Sequence, residues 1–307
     1  MAQTMRAIRY HQHGSADVLK LEDLPIPEPG AGEVLVRLRA AGVNPVDWKQ
    51  RRGSNPNLPA TPGIDLSGIV HKVGTGVSAP RQGEEVWGTG QGAYAEFALA
   101  PAGSVVPKPK KLSFEEAASI GVGARTAWAA LFDSAKLQAG QTVLVQGAAG
   151  GVGIWVVQFA RWKGANVIGT ASTRNIEFLK AIGVQKPVDY TKTAVETVAK
   201  DVDVVIDTVG GAVQDQSWKT LKKGGILVTI VGSPNEELAK QHGVRAARVG
   251  RPTNSHEIFS AVNELVTSGK ARTEVFRTFR LEEAKQAHEL SETTHGRGHI
   301  VLKVADR

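Results

Sequence analysis

Cysteine is absent from this 307-residue chain. No disulfide can form, and no thiolate metal site can be built, a four-cysteine structural zinc lobe included. No apolar stretch is long enough to cross a bilayer. The first ten residues, MAQTMRAIRY, lack the apolar core of a signal peptide. Internal repeats and low-complexity segments are not visible. These absences lead to the expectation of a cytoplasmic protein with no membrane partner. Acidic residues are in deficit, with a net charge of +7 and a pI of about 9.6. Such a balance can signal nucleic acid or an anionic small ligand. The basic residues are dispersed, which argues against nucleic acid. The densest run, PKPKK at 107–111, reads as a solvated loop. A polyphosphate cofactor fits a basic chain equally well.

What is present is an ordinary globular composition, 41% hydrophobic and 22% charged, over a length that suits one large or two ordinary domains. The first hundred residues read as short strands broken by glycine. EVLVRLRAAGV alternates as a half-buried strand, and DLSGIVHKVGTGV and GEEVWGTGQGAYAEFALAP are strand-like. The character changes near Leu112. Ser113 with Glu116 three residues later forms a capping box at the start of a helix. Strands then alternate with helices: QTVLVQG, GVGIWVVQFARWKG, ANVIGTAS, RNIEFLKAIG, VDVVIDTVG, QDQSWKTLK, GGILVTIVGS. GVRAARVG reads as a further strand and SHEIFSAVNELVTSG as a helix. Repeated βαβ units predict a parallel sheet covered on both faces.

The segment AAGGVG follows a strand and opens a helix inside one such unit. Ala148, Gly150 and Gly153 spell A-x-G-x-x-G, one small change from the dinucleotide fingerprint. The backbone of Ala149, Gly150, Gly151 and Val152 is then expected to meet a pyrophosphate at the helix start. The alternative is that small residues merely let two elements pack. An NAD-binding unit places Asp or Glu about 20 residues further on, where it accepts from the ribose 2′-OH. Here that region reads TASTRN, with Ser172 aligned and Thr173 and Arg174 following. A guanidinium without an acid favours a 2′-phosphate, and so NADP(H). The competing reading is that Ser172 or Thr173 caps the next helix.

Taken in order, AAGVNPVDWKQRRG, TPGIDLSGIVHKVGTGV, GAYAEFALAP, GARTAWAAL, VQGAAGGVG, VIDTVGG and GRGHIVLKV give the chain a resemblance to the medium-chain dehydrogenase/reductase superfamily. More narrowly it resembles the zinc-free quinone oxidoreductase branch, alkenal/enone reductases included. The resemblance implies an α/β fold: an N-terminal GroES-like β-barrel domain over residues 1–118, completed by 273–307, and a Rossmann NADP-binding domain over 119–272. The strand at GVRAARVG would lie at the Rossmann sheet edge, and pairing of two such edges would make a homodimer.

Zinc enzymes of the superfamily carry Cys in GVC and His in GHE. This chain has Asn44 and Ile64 there, and a lone Asp65 cannot make a catalytic zinc site. Asp65 reads as a buried hydrogen-bond partner. Without a Lewis acid, a nicotinamide can still reduce an acceptor that is already electrophilic, such as a quinone or a conjugated enone. The resemblance implies this NADPH-dependent chemistry. It puts Asn44 against nicotinamide and substrate, Thr126 at the nicotinamide side, and Tyr190 near the adenosine phosphate. Val231, Gly232 and Ser233 would border the nicotinamide. Trp48 and Tyr94 are expected at the substrate pocket. Lys180 is the lysine nearest the family's phosphate-binding position, and His299 stands where the family has Lys. Asp47, Tyr94 and His299 are proton donors by chemistry, though a structural role is the stronger reading of each. The alternative functions are a cofactor-binding protein of low turnover, acting as a structural or RNA-binding factor, and an enoyl-thioester reductase.

Overall fold

Glu33–Val43, an eleven-residue strand buried along most of its length with Arg37 its one exposed residue, is the spine of the β-rich part of the molecule. It pairs antiparallel with Asp65–Val73, Phe97–Pro101 and His299–Lys303. Three partners on one strand require bulges, and the register shifts at Leu35/Val36 and Leu38/Ala40 provide them. The computed structural model describes residues 3–250, 252, 254–293 and 296–305. It divides into two units. One comprises Met1–Val122, Asn254–Thr267 and Thr273–Arg307, and the other Gly123–Thr253 and Ser268–Arg272.

In the first unit the sheet continues through Glu85–Thr89 and Val105–Pro107 on one side and Val275–Arg280 on the other. The C-terminal strand His299–Lys303 is therefore internal to the sheet built by the N-terminal residues. The core between sheet and helices is aliphatic, with Val34, Val36, Leu38, Leu66, Val86 and Leu302 all buried. Ser113 caps the helix Phe114–Ala118 reciprocally: Glu116 N donates to Ser113 Oγ at 3.0 Å and Ser113 N to Glu116 Oε2 at 2.8 Å. The helix Ser255–Thr267, expected within residues 119–272, packs in the first unit instead. Phe259 lies 4.7 Å from the Trp87 ring, and Trp87 Nε1 donates to Asn263 Oδ1 at 2.9 Å. Lys108 of PKPKK is also not solvated. Its side chain is only 5% exposed, pairs with Glu85 at 3.2 Å and donates to Leu112 O at 2.7 Å.

The second unit is a six-stranded parallel sheet. Numbered by sequence, its strands run in the spatial order 3-2-1-4-5-6: Lys186–Asp189, Asn166–Ala171, Thr142–Gln146, Val202–Asp207, Leu221–Thr229 and Arg245–Arg248. Uninterrupted apolar runs such as VLV and VVI are what a doubly covered parallel strand demands. The order reverses between Thr142–Gln146 and Val202–Asp207, and ligands bind at the carboxyl ends beside such a switch. Arg245–Arg248, the GVRAARVG strand, forms an edge.

Candidate active site

The first candidate element lies at the switch point of the second unit. Strand Thr142–Gln146 ends in Gly147, whose φ of +67° only glycine adopts without strain. The turn is anchored from the next strand: Gly147 N donates to Thr170 Oγ1 at 3.1 Å, Ala148 N to Thr170 O at 2.9 Å, and Thr170 Oγ1 to Gln146 Oε1 at 2.8 Å. Helix Gly151–Trp162 follows, with Gly150 as its N-cap and no side chain capping it. No side chain of the described residues occupies the leading N–H groups of this helix, those of Gly151 and Val152 among them, and the helix dipole favours an anion there. The small residues differ in what they do at different positions. A Cβ on Gly153 would sit 2.3 Å from Gly147 O, so that glycine permits packing of helix on turn. A Cβ on Gly150 would meet nothing closer than Gly147 O at 3.4 Å and would fill the open cradle. The residues present fit a dinucleotide pyrophosphate. Gly150→Ala should therefore change stability little, because a gain of about 0.4–1 kcal/mol from a stiffer unfolded chain is offset by the poorer N-cap, while it weakens cofactor binding. Gly153→Ala should lower both. Thermal midpoints and fluorescence titrations of the two variants check this contrast.

At the end of the second strand, Ser172 precedes a short turn over Thr173–Asn175 and makes no side-chain cap to it. Thr173 and Arg174 are exposed, and Tyr190 is 58% exposed. The helix-cap reading of this stretch therefore has no bond behind it. The neighbouring strand adds a residue that the sequence argument missed. Asp189, paired in register with Ala171, accepts from Thr173 Oγ1 at 2.5 Å and from Thr191 Oγ1 at 2.6 Å. These hydroxyls hold its carboxyl below the usual range, with Lys192 3.8 Å away adding to the effect. An acid that TASTRN itself lacks thus stands one strand over, with its carboxylate taken up by the Thr173 and Thr191 hydroxyls. Lys180 pairs with Glu177 at 2.7 Å on the helix surface.

Two further loops end beside these. Asp207, fully buried, accepts from Val209 N, Gly210 N, Gln214 Nε2 and Thr229 Oγ1 at 2.8–3.1 Å. It locks VIDTVGG to the end of the fifth strand, where Val231 N donates to Thr229 Oγ1 at 3.1 Å. Gly232, with φ +70°, and Ser233 are exposed there. Thr126 is half-buried on helix Gly121–Trp128.

The second candidate element is a buried polar network within the first unit. AAGVNPVD turns from strand into helix at Asn44, with Pro45 in the first helical position. Asn44 is 2% exposed. Its Nδ2 donates to Asp65 Oδ2 at 3.0 Å and its backbone N to Asp47 Oδ2 at 2.8 Å. Asp65 accepts also from Val122 N at 2.8 Å, as a buried structural partner. Glycine makes that approach possible, because a Cβ on Gly121 would lie 2.3 Å from Asp65 Oδ1. Tyr94 is fully buried rather than set on an open wall. Gly63 of TPGID, at φ +102°, lets it in, since a Cβ there would lie 2.4 Å from the Tyr94 ring. The Tyr94 hydroxyl donates to Asp47 Oδ2 at 3.1 Å and is 3.2 Å from His288 Nε2. His288 Nδ1 accepts from Arg51 Nε at 3.3 Å. Arg51 also donates to Gly14 O and pairs with Glu292.

Of the three expected proton donors, Asp47 and Tyr94 are bonded to each other. His299, buried at the start of the last strand, pairs in register with Val275. Trp48 is half-buried, with the Arg52 guanidinium 5.6 Å and the Lys49 ammonium 5.5 Å from its ring. Arg51 and His288 were not anticipated. The readable signal for His288 was its place on the apolar stripe of Leu281, Ala284 and Ala287.

A β unit completed by the chain's C-terminus, together with a 3-2-1-4-5-6 sheet carrying a glycine cradle, defines an oxidoreductase of the medium-chain dehydrogenase/reductase superfamily that uses a nicotinamide cofactor. A family model described as alcohol dehydrogenase GroES-like domain matches residues 30–110, and one described as zinc-binding dehydrogenase matches 182–302. The chain is 35% identical to the quinone oxidoreductase of Mus musculus, over 96% of this chain and 95% of that one. It is 32% identical to the NADPH-dependent alkenal/one oxidoreductase of Arabidopsis thaliana, over 97% and 79%. The solved quinone oxidoreductase of Coxiella burnetii superposes with a TM-score of 0.90 at 38% identity, covering 99% of this chain and 100% of that one. The chain belongs to the quinone oxidoreductase family of this superfamily. The second family description names zinc, and the donors here do not fit it. Asn44 and Ile64 stand at the ligand positions, cysteine is lacking, and both Asp65 oxygens accept hydrogen bonds. No helix among the described residues is long and apolar enough to cross a membrane.

Proposed function

We propose that this protein reduces quinones or α,β-unsaturated carbonyl compounds with NADPH and without zinc. The observation that carries the reading is Asn44, an amide fixed by Asp65 where a zinc enzyme needs a thiolate, in a chain that also carries a phosphate cradle. The names of the relatives support the substrate class. Residues 149–152 would hold the pyrophosphate, Ser172, Thr173, Arg174 and Tyr190 the 2′-phosphate end, and Thr126 and 231–233 the nicotinamide. A bound nicotinamide supplies the hydride. Asn44 then acts as the catalytic residue. One of its two Nδ2 hydrogens is committed to Asp65, which leaves the other to donate to a substrate oxygen that gains negative charge. Pinning by Asp65 and Asp47 preorganises this donor. Trp48, one residue past Asp47, flanks the substrate, and Tyr94 supports Asn44 from behind through Asp47.

The test is NADPH oxidation with a panel of quinones, enones, acyl thioesters and simple ketones, with and without EDTA. Turnover of quinones or enones that EDTA does not change is expected. Turnover of simple ketones that requires zinc would reject the reading. Cofactor binding without turnover on any acceptor would favour a cofactor-binding factor instead. We also propose a homodimer formed through the edge strand Arg245–Arg248, and a monomer mass in sedimentation at micromolar concentration would rule it out.

A further inference from the structure

We propose that Asp47 is a proton-holding positioning residue: it sits at the receiving end of a one-way hydrogen-bond chain from Arg51 through His288 and Tyr94, and its charge state sets how Asn44 is held. This inference rests on the reading of Asn44 as the catalytic residue.

The direction of the chain is forced by chemistry. A guanidinium has five donors and no acceptor. With Arg51 Nε 3.3 Å from His288 Nδ1, that nitrogen must present its lone pair. The neutral imidazole then carries its proton on Nε2, which donates to the Tyr94 oxygen at 3.2 Å. The Tyr94 hydroxyl has its own proton left for Asp47 Oδ2 at 3.1 Å. The Asn44 N–H arrives at the same Oδ2 at 2.8 Å. Asp47 Oδ1, equally buried, has no partner among the described residues.

The surroundings favour the protonated acid. The groups facing Asp47 are Tyr94 from the GAYAEF segment, His288 and Glu292 from helix Ala284–Thr293, Arg51 from the π turn Gln50–Ser54, and Asp65 across the Asn44 amide. The Arg51 charge is spent on Glu292 and Gly14 O. His288 is neutral, since burial and the Arg51 charge push it down to about 3. Among the described residues no cation is therefore directed at Asp47. Burial pushes its carboxyl up to about 7, with the Asn44 N–H and Tyr94 hydroxyl pulling back. The proton rests on Oδ1. When it leaves, the buried anionic Oδ1 has no donor among the described residues, and the charge draws harder on the Asn44 N–H at Oδ2 while Asp65 holds the Asn44 side chain. Ionised Asp47 thus competes with Asp65 for the residue that orients the substrate.

The test is the pH profile of kcat at saturating NADPH for the wild type, Asp47→Asn and Tyr94→Phe. It is paired with infrared titration of the carboxylic acid C=O stretch of the cofactor-free protein. The wild type should lose about tenfold in kcat between pH 6 and pH 8, following the neutral fraction of a group titrating near 7. Asp47→Asn cannot ionise and should be flat. Tyr94→Phe removes a hydrogen bond to the anion, so its inflection should move to higher pH. A merely structural role would lower stability and leave the inflection in place. A protonated-acid band that vanishes near pH 7 is expected in the wild type, whether or not Asp47→Asn folds. Absence of that band, or an unchanged inflection in Asp47→Asn, overturns the proposal. Absence of turnover at every pH rejects the functional reading instead, and the infrared titration then decides the state of Asp47.

Discussion

Arg174→Ala should cost NADPH about 10- to 150-fold in affinity and leave NADH nearly unaffected. A hydrogen bond to a charged group is worth about 1.5–3 kcal/mol net, and each 1.4 kcal/mol is roughly tenfold. NADH has no 2′-phosphate to lose. Ser172→Asp should go further and reverse the preference, by repelling the phosphate and offering an acceptor to the 2′-OH. The site tolerates the change locally, since the Ser172 hydroxyl is only 3.4 Å from Asn175 Nδ2, a donor that a carboxylate can also use. Asp189 limits the magnitude without changing the sign. Its charge faces the hydroxyls of Thr173 and Thr191 and lies 3.8 Å from Lys192, so Arg174 and Lys192 still outweigh it at this turn. Fluorescence titration of both cofactors against the wild type and the two variants measures the effect. Equal wild-type affinity for NADH and NADPH, or equal losses for both in Arg174→Ala, would reduce TASTRN to a turn.

The cradle is legible in the sequence because its physics is local. Positive φ at Gly147, close packing at Gly153 and open approach at Gly150 each demand a small residue at a fixed spacing. The parallel sheet is legible for the same reason, since its strands are continuous apolar runs between turn signals. The allocation of helix Ser255–Thr267 is not legible. An amphipathic stripe says that a helix covers something, and only the Trp87 indole meeting Asn263 says what. Asp189 escapes a reading that follows one strand at a time, because it reaches the Thr173 turn through the register of the adjacent strand. The buried network is the least legible part. Arg51 and His288 are 237 residues apart, and the interior place of each depends on the other being there.

The same pair of buried groups predicts opposite stability profiles in two single variants. In the folded protein Asp47 titrates near 7 and His288 near 3, against ordinary values of 3.8 and 6.5. Folding therefore moves a proton from the imidazole to the carboxyl and buries two neutral groups in place of an ion pair. The raised Asp47 contributes stability that is complete below its unfolded value and is lost as pH rises to about 7. The depressed His288 contributes stability that is complete above its unfolded value and is lost as pH falls toward about 3. Between roughly pH 4 and 6.5 the two slopes cancel, because native and unfolded pairs each bind one proton. Asp47→Asn removes one slope. Relative to the wild type it should gain about 1.4 kcal/mol per pH unit from pH 4 to 7, on the order of 4 kcal/mol in all. At its most favourable this is offset by about 1–3 kcal/mol, because the new amide N–H groups take the place of Oδ1 and find no acceptor. His288→Gln removes the other slope while keeping an acceptor for Arg51 and a donor for Tyr94. Relative to the wild type it should gain stability as pH falls from 6.5 toward 3, by about the same amount per unit. Thermal midpoints of the three proteins across this range should diverge in opposite directions from the wild-type curve. Three parallel curves would show that Asp47 and His288 keep their ordinary protonation states inside the fold, and the neutral chain from Arg51 to Asn44 would not stand.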